Sequence, residues 1–446
     1  MSVRTSATSS TTPAAPEWNG PGRTLQQRAV ELFPPAAARH TDLAVVAAKG
    51  ATLWTETGEE ILDFASGVAV TNVGHGHPEV IAAVRAQLDV LVHAGHNIAL
   101  YPPYVELAER LVGIVGPGHK VFYANSGAEA LEAGIKLALR VSGRTGLVAF
   151  KQGFHGRTLA TTALSASSSA YRAGYLGVLP TVHHVDFPAP FANDRTEEEE
   201  VRRCLAELDE LFKLVVPADE VAAIVIEPFQ GEGGYRPAPP AFLEGLRERA
   251  DEHGIALVYD EIQSGCGRTG TMFAYEHSRV APDILVLAKG IANGFPLSVL
   301  LARSDLMDRW PAGAHGGTFG GNAVACAAAL AVLDVLEQGA LDNARRVGAE
   351  LSAGLEQIAR GLPLRSEVRG AGMMIGIELR HPDHSPAADV VADARRIALE
   401  AGLLVLSCGV EKNVLRLMPP TTLTSAEADT ALAILATALP EAAAAR

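Results

Sequence analysis

The sequence predicts an α/β protein, with a mostly parallel central sheet in a large domain and a smaller α+β domain after it. Three observations carry that reading. From about Val121, short runs rich in Val, Ile and Leu alternate with helical patterns, as buried parallel strands do. The last hundred residues change character, with strand-like and helical runs in a different order. No stretch repeats at a solenoid period.

The elements follow in order. "VFYA" (121–124) leads into "NSGAEALEAGIKLALR", where Ser126-x-x-Glu129 is a capping box. Ala128, Leu131, Ile135, Ala138 and Leu139 form one apolar helix face. "GLVAF" (146–150), "VAAIVIE" (221–227), "IALVYDEI" (255–262) and "ILVLAK" (284–289) are the next strands. "LSVLLA" (297–302) follows after only a Gly/Asn/Pro turn, so one antiparallel strand is expected. Glu197 to Glu200, then Val201, Leu205, Leu208 and Leu211, read as an acidic helix start with a solvated face. "NAVACAAALAVLDVLEQG" (322–339) is an Ala-rich helix with a glycine stop, bridging to the second domain. There "GMMIGIEL" (372–379), "LLVLSC" (403–408) and "VLRLM" (414–418) are strand-like, with helices near 387–401 and 425–438.

Composition narrows the function. The 446 residues are 48% apolar and 20% charged, ordinary for a soluble chain with one or two domains. A net charge of −14 disfavours nucleic acid and anionic membranes as partners. The four cysteines show no zinc spacing and suit a reducing compartment. Residues 1–20 read as a disordered tail without an apolar signal region, and no apolar run reaches the ~20 residues of a membrane span. A cytoplasmic protein is expected. His75-x-His77 and His93-x-x-His96 have metal-compatible spacing but no third cluster, so structural roles and no metal are expected.

"VYDEIQSGCGRTG" (258–270) holds Gly265-x-Gly267-x-x-Gly270 after a strand and ends that strand on Asp260-Glu261. No G-x-x-x-x-G-K-[ST] occurs, so a triphosphate reading fails. A dinucleotide reading needs a helix next and an acid ending the following strand, whereas Asp283 precedes its strand. The glycines then read as loop punctuation.

A third reading starts at Lys289, closing "ILVLAK". A desolvated lysine is a nucleophilic amine, and an aspartate on a neighbouring strand tip could hold a pyridine nitrogen protonated. Lys289 and Asp260 together are what pyridoxal phosphate requires, provided a phosphate site and a ring platform exist. The Ser126-Gly127-Ala128 backbone at a helix N-terminus is a candidate anion site. Phe154, on the tip of "QGFHGRT" (152–158), could stack on a planar ring.

With "IEPFQGEGG", "AKGIANGFPLS" and "GGTFGGNAVACAAAL" added, the chain resembles the class III (omega) aminotransferases of pyridoxal-phosphate fold type I. The likeness runs from about Leu62 to Leu417, and "FHGRT", "KGIANGFPLS" and "NVLRLMPP" look most like 4-aminobutyrate aminotransferases. The resemblance implies that Lys289 forms the Schiff base and shuttles the proton. It implies that Asp260 pairs with the pyridine nitrogen, Gln263 with the ring hydroxyl, and Ser126, Gly127 and Ala128 with the phosphate. Phe154 would cover the ring, and Thr318 would reach the phosphate of the neighbouring subunit in a homodimer with shared active sites. It also suggests a disordered tail (1–20), an N-terminal segment joining the small domain (21–70), a large cofactor-binding domain (71–332) and a small domain (333–446).

Small-molecule substrates follow: an amino donor and a keto-acid acceptor. 4-Aminobutyrate is glutamate without its α-carboxylate, so one arginine can hold the distal carboxylate of both. Arg157 matches the distal-carboxylate position, Arg416 the α-carboxylate position, and Glu232 the gate that neutralises Arg416 when no α-carboxylate is present. Two departures bear on this assignment. Ala128 stands where relatives often carry a hydroxyl, and Val68 stands where the most similar ones carry isoleucine, which would admit longer donors. The expected reaction converts 4-aminobutyrate and 2-oxoglutarate to succinate semialdehyde and glutamate in a ping-pong cycle. 5-Aminovalerate, acetylornithine or ornithine are alternative donors, and an amino-acid epimerase is the more distant rival.

Overall fold

The computed structural model describes residues 22–445, so the tail expected over 1–20 lies outside the described residues. Seven strands form the central sheet, in the order His119–Ala124, Ser298–Arg303, Ile284–Leu287, Ala256–Asp260, Val221–Ile226, Gly146–Phe150 and His183–Val185. Ser298–Arg303 runs antiparallel to both its neighbours, and the remaining pairs are parallel. That is the one reversed strand the short turn before it requires.

Burial explains why these runs pair. All six residues of Val221–Ile226 are buried, and each fully buried Val, Ile or Leu stabilises by roughly 1.5–3 kcal/mol. Helix Gly127–Ser142 lays Leu131, Ile135 and Ala138 over the sheet, against Val286 and Leu300. Because six strands share one direction, the segments that follow five of them open on the same edge. Asn125 to Ala128, Gly153 to His155, Glu227, Asp260 and Lys289 therefore gather at the carboxyl ends, where open α/β sheets bind ligands.

The Ala-rich helix spans Ala323–Val335 and is capped by Asn322, whose Oδ1 accepts from Val324 N and Ala325 N. Gly339 does not stop it. At φ +131° it makes a wide turn over Leu336–Ala340, and the chain continues as helix Leu341–Arg360. By length and composition Ala323–Arg360 contains a window apolar enough to cross a membrane, yet Ala323–Val335 is almost wholly buried in this fold.

The C-terminal region packs a four-stranded antiparallel sheet (Arg365–Ala371, Met374–Arg380, Val414–Leu417, Leu406–Cys408) against helices Leu341–Arg360, Ala388–Glu400 and Ser425–Ala444. "LLVLSC" is not one strand. Leu403–Leu404 pairs in parallel with Glu60–Asp63, and Leu406–Cys408 joins Val414–Leu417. The N-terminal strands Val45–Lys49, Thr52–Thr55 and Glu60–Asp63 thus share a sheet with the C-terminal region. The acidic helix Glu197–Leu214 also differs from expectation: Glu200 is fully buried rather than solvated, held by Arg195 and Arg203.

Candidate active site

Seven of the residues expected at the site line one cavity of about 320 Å³: Ser126, Gly127, Ala128, Phe154, Asp260, Gln263 and Lys289. At its phosphate-compatible end the capping box forms, with Ser126 Oγ accepting from Glu129 N and Glu129 Oε2 from Asn125 N and Ser126 N. The amides of Gly127 and Ala128 are left with no protein acceptor among the described residues. They point from a helix N-terminus, as an anion site needs. A Cβ at position 127 would sit 2.8 Å from Ile262 Cδ1, so any larger residue there would push the isoleucine aside.

The carboxylate of Asp260 is 3% exposed and fully engaged on its protein side. His155 Nδ1 donates to Asp260 Oδ2 (2.7 Å), and Ile262 N donates to Oδ1 (3.1 Å). Burial opposes charge on His155, but the hydrogen bond and charge of Asp260 outweigh it and raise the imidazole above its ordinary value. Glu227 lies behind, accepting from Phe154 N (3.1 Å) and Gly231 N (3.0 Å) and tying those loops together. Burial, aided by Asp260, pushes its carboxyl up to about 7. His155 and Glu227 stand in "FHGRT" and "IEPFQGEGG", yet no local pattern marks either as a site residue. Nothing local marks a histidine that meets its partner 105 positions away.

Lys289 follows strand Ile284–Leu287 at φ +46°, a left-handed backbone that a non-glycine residue adopts at a cost. Burial lowers its amine from the ordinary lysine value. Glu232 opposes that, Arg416 adds to it, and Asp260 opposes it. Arg416 and Glu232 are therefore close enough to act on the cavity electrostatically. Arg416 Nη1 donates to Glu232 Oε1 at 2.5 Å, with the arginine side chain 1% exposed. Burial would raise the Glu232 carboxyl, but the charge and hydrogen bond of Arg416 bring it below the ordinary value.

Five expected residues do not line the cavity: the paired Glu232 and Arg416, and Arg157, Thr318 and Val68. Arg157 is exposed, with its guanidinium 3.5 Å from the centre of the Tyr171 ring and 5.6 Å from that of Phe154, and no ion pair among the described residues. Thr318 is exposed on a loop. Val68 sits on a turn in which Ser66, Gly67, Val68 and Ala69 all have positive φ, and the wall on that side is Val70. His75 is occupied by Asp63 (2.8 Å) and His96 by the Gly320 carbonyl oxygen (3.2 Å).

The cavity suits a flat, phosphorylated, pyridine-containing group. It offers free amides for a phosphate, a buried carboxylate for a ring nitrogen, an aromatic at one wall, and a lysine. The side-chain oxygen of Gln263, buried without a partner among the described residues, adds a polar group for a ring substituent. Fold and site together define a pyridoxal-phosphate-dependent transferase of fold type I.

The chain belongs to the class III aminotransferases, whose family description, "Aminotransferase class-III", matches residues 34–439. It is 40% identical over 417 residues to the 5-aminovalerate aminotransferase DavT of Pseudomonas putida, covering 92% of this chain and 96% of that one. It is 41% identical over 429 residues to the 4-aminobutyrate aminotransferase GabT of Escherichia coli, covering 94% and 98%. Among solved structures, a pyridoxal-phosphate-bound amine transaminase from an uncultivated Pseudomonas species superposes with a TM-score of 0.85 at 33% identity, covering 92% of this chain and 98% of that one. The protein is an omega-aminotransferase that uses pyridoxal 5′-phosphate, a small-molecule amino donor and a keto acid.

Proposed function

We propose that the enzyme transfers the amino group of 4-aminobutyrate to 2-oxoglutarate, giving succinate semialdehyde and glutamate in a ping-pong cycle. One observation carries this reading: Arg416, fully buried, is neutralised by the internal carboxylate of Glu232 beside the Lys289 cavity. A buried cation is costly without a partner. A substrate lacking an α-carboxylate leaves that pair intact, and one carrying an α-carboxylate takes the place of Glu232. An enzyme alternating between 4-aminobutyrate and glutamate needs such a replaceable partner.

Bound pyridoxal phosphate supplies the carbon that carries the amino group between the half-reactions and a ring that accepts electrons. The protein's own residues do the rest. Gly127 and Ala128 amides hold the phosphate, with Ser126 fixing the helix start. Asp260, aligned by His155, keeps the ring nitrogen protonated, Gln263 meets the ring hydroxyl, and Phe154 covers one face. Lys289, its amine favoured as free base by burial, would take the proton from the donor carbon and pass it to the cofactor carbon that keeps the amino group, the reverse transfer serving the keto acid. Arg157 orients the distal carboxylate after swinging off Tyr171, and Val68 sets how long a donor fits.

The assembly in this proposal is a cytoplasmic homodimer in which Thr318 completes the neighbour's phosphate site. Residues 71–332 form the cofactor domain and 333–446 the small domain, with 21–70 joined to it. The exposed Thr318 loop and the four buried free cysteines support these parts of the reading. A 5-aminovalerate donor is the second reading, favoured by the DavT relative and by valine at 68.

Steady-state rates with 2-oxoglutarate as acceptor test the substrate. The kcat/KM for 4-aminobutyrate should exceed those for 5-aminovalerate, acetylornithine and ornithine, and a higher value for any of these transfers the assignment to it. Lys289→Ala should abolish turnover, and normal steady-state turnover in that variant would remove the lysine from its role.

A further inference from the structure

We propose that the opposite edge of the central sheet carries a second binding site, for a small organic dianion. It is a cleft of about 360 Å³ walled by Arg144, Arg247, Arg303 and Arg309, with apolar surface from Leu137 and Leu306. Its elements are the C-terminus of helix Gly127–Ser142, the end of helix Pro240–His253, and the amino ends of the Val221–Ile226, Ala256–Asp260 and Ile284–Leu287 strands. Ala256–Asp260 is five residues long, so at ~3.3 Å per residue the cleft lies roughly 15 Å or more from the Lys289 cavity.

The four arginines are not equivalent. Arg247 and Arg303 clasp Asp283 from two sides, at 2.8 and 3.0 Å, and Asp283 also accepts from Leu257 N. Asp251 and Asp305 take up what remains of those two charges. Arg144 and Arg309 have no carboxylate partner among the described residues. Arg144 Nη1 donates to the carbonyl oxygens of Val221 (3.0 Å), His253 (2.9 Å) and Gly254 (3.2 Å), which fixes its guanidinium in place. Arg309 Nη2 donates to the Val141 carbonyl oxygen at 2.5 Å. Two guanidiniums, the half-buried Arg144 and the exposed Arg309, thus face one cleft held by backbone carbonyls and with no carboxylate hydrogen-bonded to either among the described residues, in a chain whose net charge is −14. A planar fork held by backbone carbonyls is pre-organised for a phosphate or carboxylate.

The apolar part of the wall selects against a bare ion. Val141 and Leu306 give a carbon skeleton something to cover, so the ligand has an apolar body and a doubly charged head. A phosphate monoester and a dicarboxylate share that chemistry.

The test uses the pyridoxal-phosphate-loaded enzyme and calorimetric titration with phenyl phosphate and with phthalate, the two arms separating the head groups. Inorganic phosphate and phenol are the controls. One or both dianions should bind at one site per chain, more tightly than either control. Arg309→Glu should weaken that binding about tenfold or more, the scale of one lost charge-assisted contact, and turnover should be unchanged. Ser142→Trp, which fills the cleft from an exposed position, should abolish it and guards against a folding effect of the first variant. Absence of binding by both dianions would overturn the proposal. So would binding that both variants leave intact. Inorganic phosphate binding as tightly as phenyl phosphate would overturn the organic part. None of these outcomes depends on which amino donor the enzyme uses.

Discussion

At the residue scale the account turns on Glu232. Its partner Arg416 is 1% exposed, and leaving a buried charge unpaired costs about 3–5 kcal/mol. Glu232→Gln keeps the shape and removes the countercharge, so Arg416 should then prefer a substrate that brings its own α-carboxylate. The ratio of kcat/KM for 4-aminobutyrate to that for glutamate should fall about tenfold or more, or ~1.4 kcal/mol in transition-state free energy. An unchanged ratio removes the gate. Lys289 and Asp260 were legible in the sequence because each closes an apolar run with a charge. His155 and Glu227 were not, since their roles exist only once three strand ends meet. Arg157 was legible as a motif residue, but its rest position on Tyr171 was not.

At the element scale, the start of helix Gly127–Ser142 supplies two free amides and no hydroxyl from Ala128. Ala128→Ser should slow loss of pyridoxal phosphate on dilution several-fold, since one added hydrogen bond contributes about 1 kcal/mol. Equal loss rates would place the phosphate elsewhere. The sheet Arg365–Ala371/Met374–Arg380 holds a second buried charge cluster, with Glu378 among Arg236, Arg369 and Arg380 at 2.8–3.2 Å. Burial alone would raise this carboxyl, but Arg369 and Arg236 hold it down to about 2, against 4.5 when unfolded. Its contribution, about 3 kcal/mol, is therefore present above pH 4.5 and lost as pH falls towards 2. Denaturant midpoints measured across that window should fall steeply in the wild type and less steeply in Glu378→Gln. Parallel profiles would exclude the cluster as the source. The central strands were readable because burial on both faces makes them uniformly apolar. Arg365–Ala371, rich in charge, carried no such signal, and "LLVLSC" looked continuous because nothing local shows that two sheets share it.

At the scale of the whole molecule, apolar side chains crowd the surface around the Thr318 loop. Val90 (81% exposed), Ile98 (82%), Leu100 (74%) and Phe319 (61%) are open to water, and the segment carrying the first three meets the Thr318 loop where His93 packs on Phe319 and His96 reaches the Gly320 carbonyl oxygen. They support the proposed homodimer and suggest where it would close. Phe319→Asp should shift the sedimentation coefficient to that of a 46.7 kDa monomer and cost most of the activity. A dimer of undiminished activity would move the interface. The two-part architecture was legible from the change in element order near residue 340, whereas the return of the N-terminal strands to the C-terminal region was not. That contact spans more than 300 residues and rests on two parallel pairs, Leu403 with Leu62 and Leu404 with Asp63.

The most direct test of the central claim is the visible absorbance of the cofactor-loaded enzyme on adding 4-aminobutyrate alone. The account predicts that the band bleaches in one half-reaction and returns when 2-oxoglutarate is added. A band that persists with 4-aminobutyrate but bleaches with 5-aminovalerate would contradict the assigned donor.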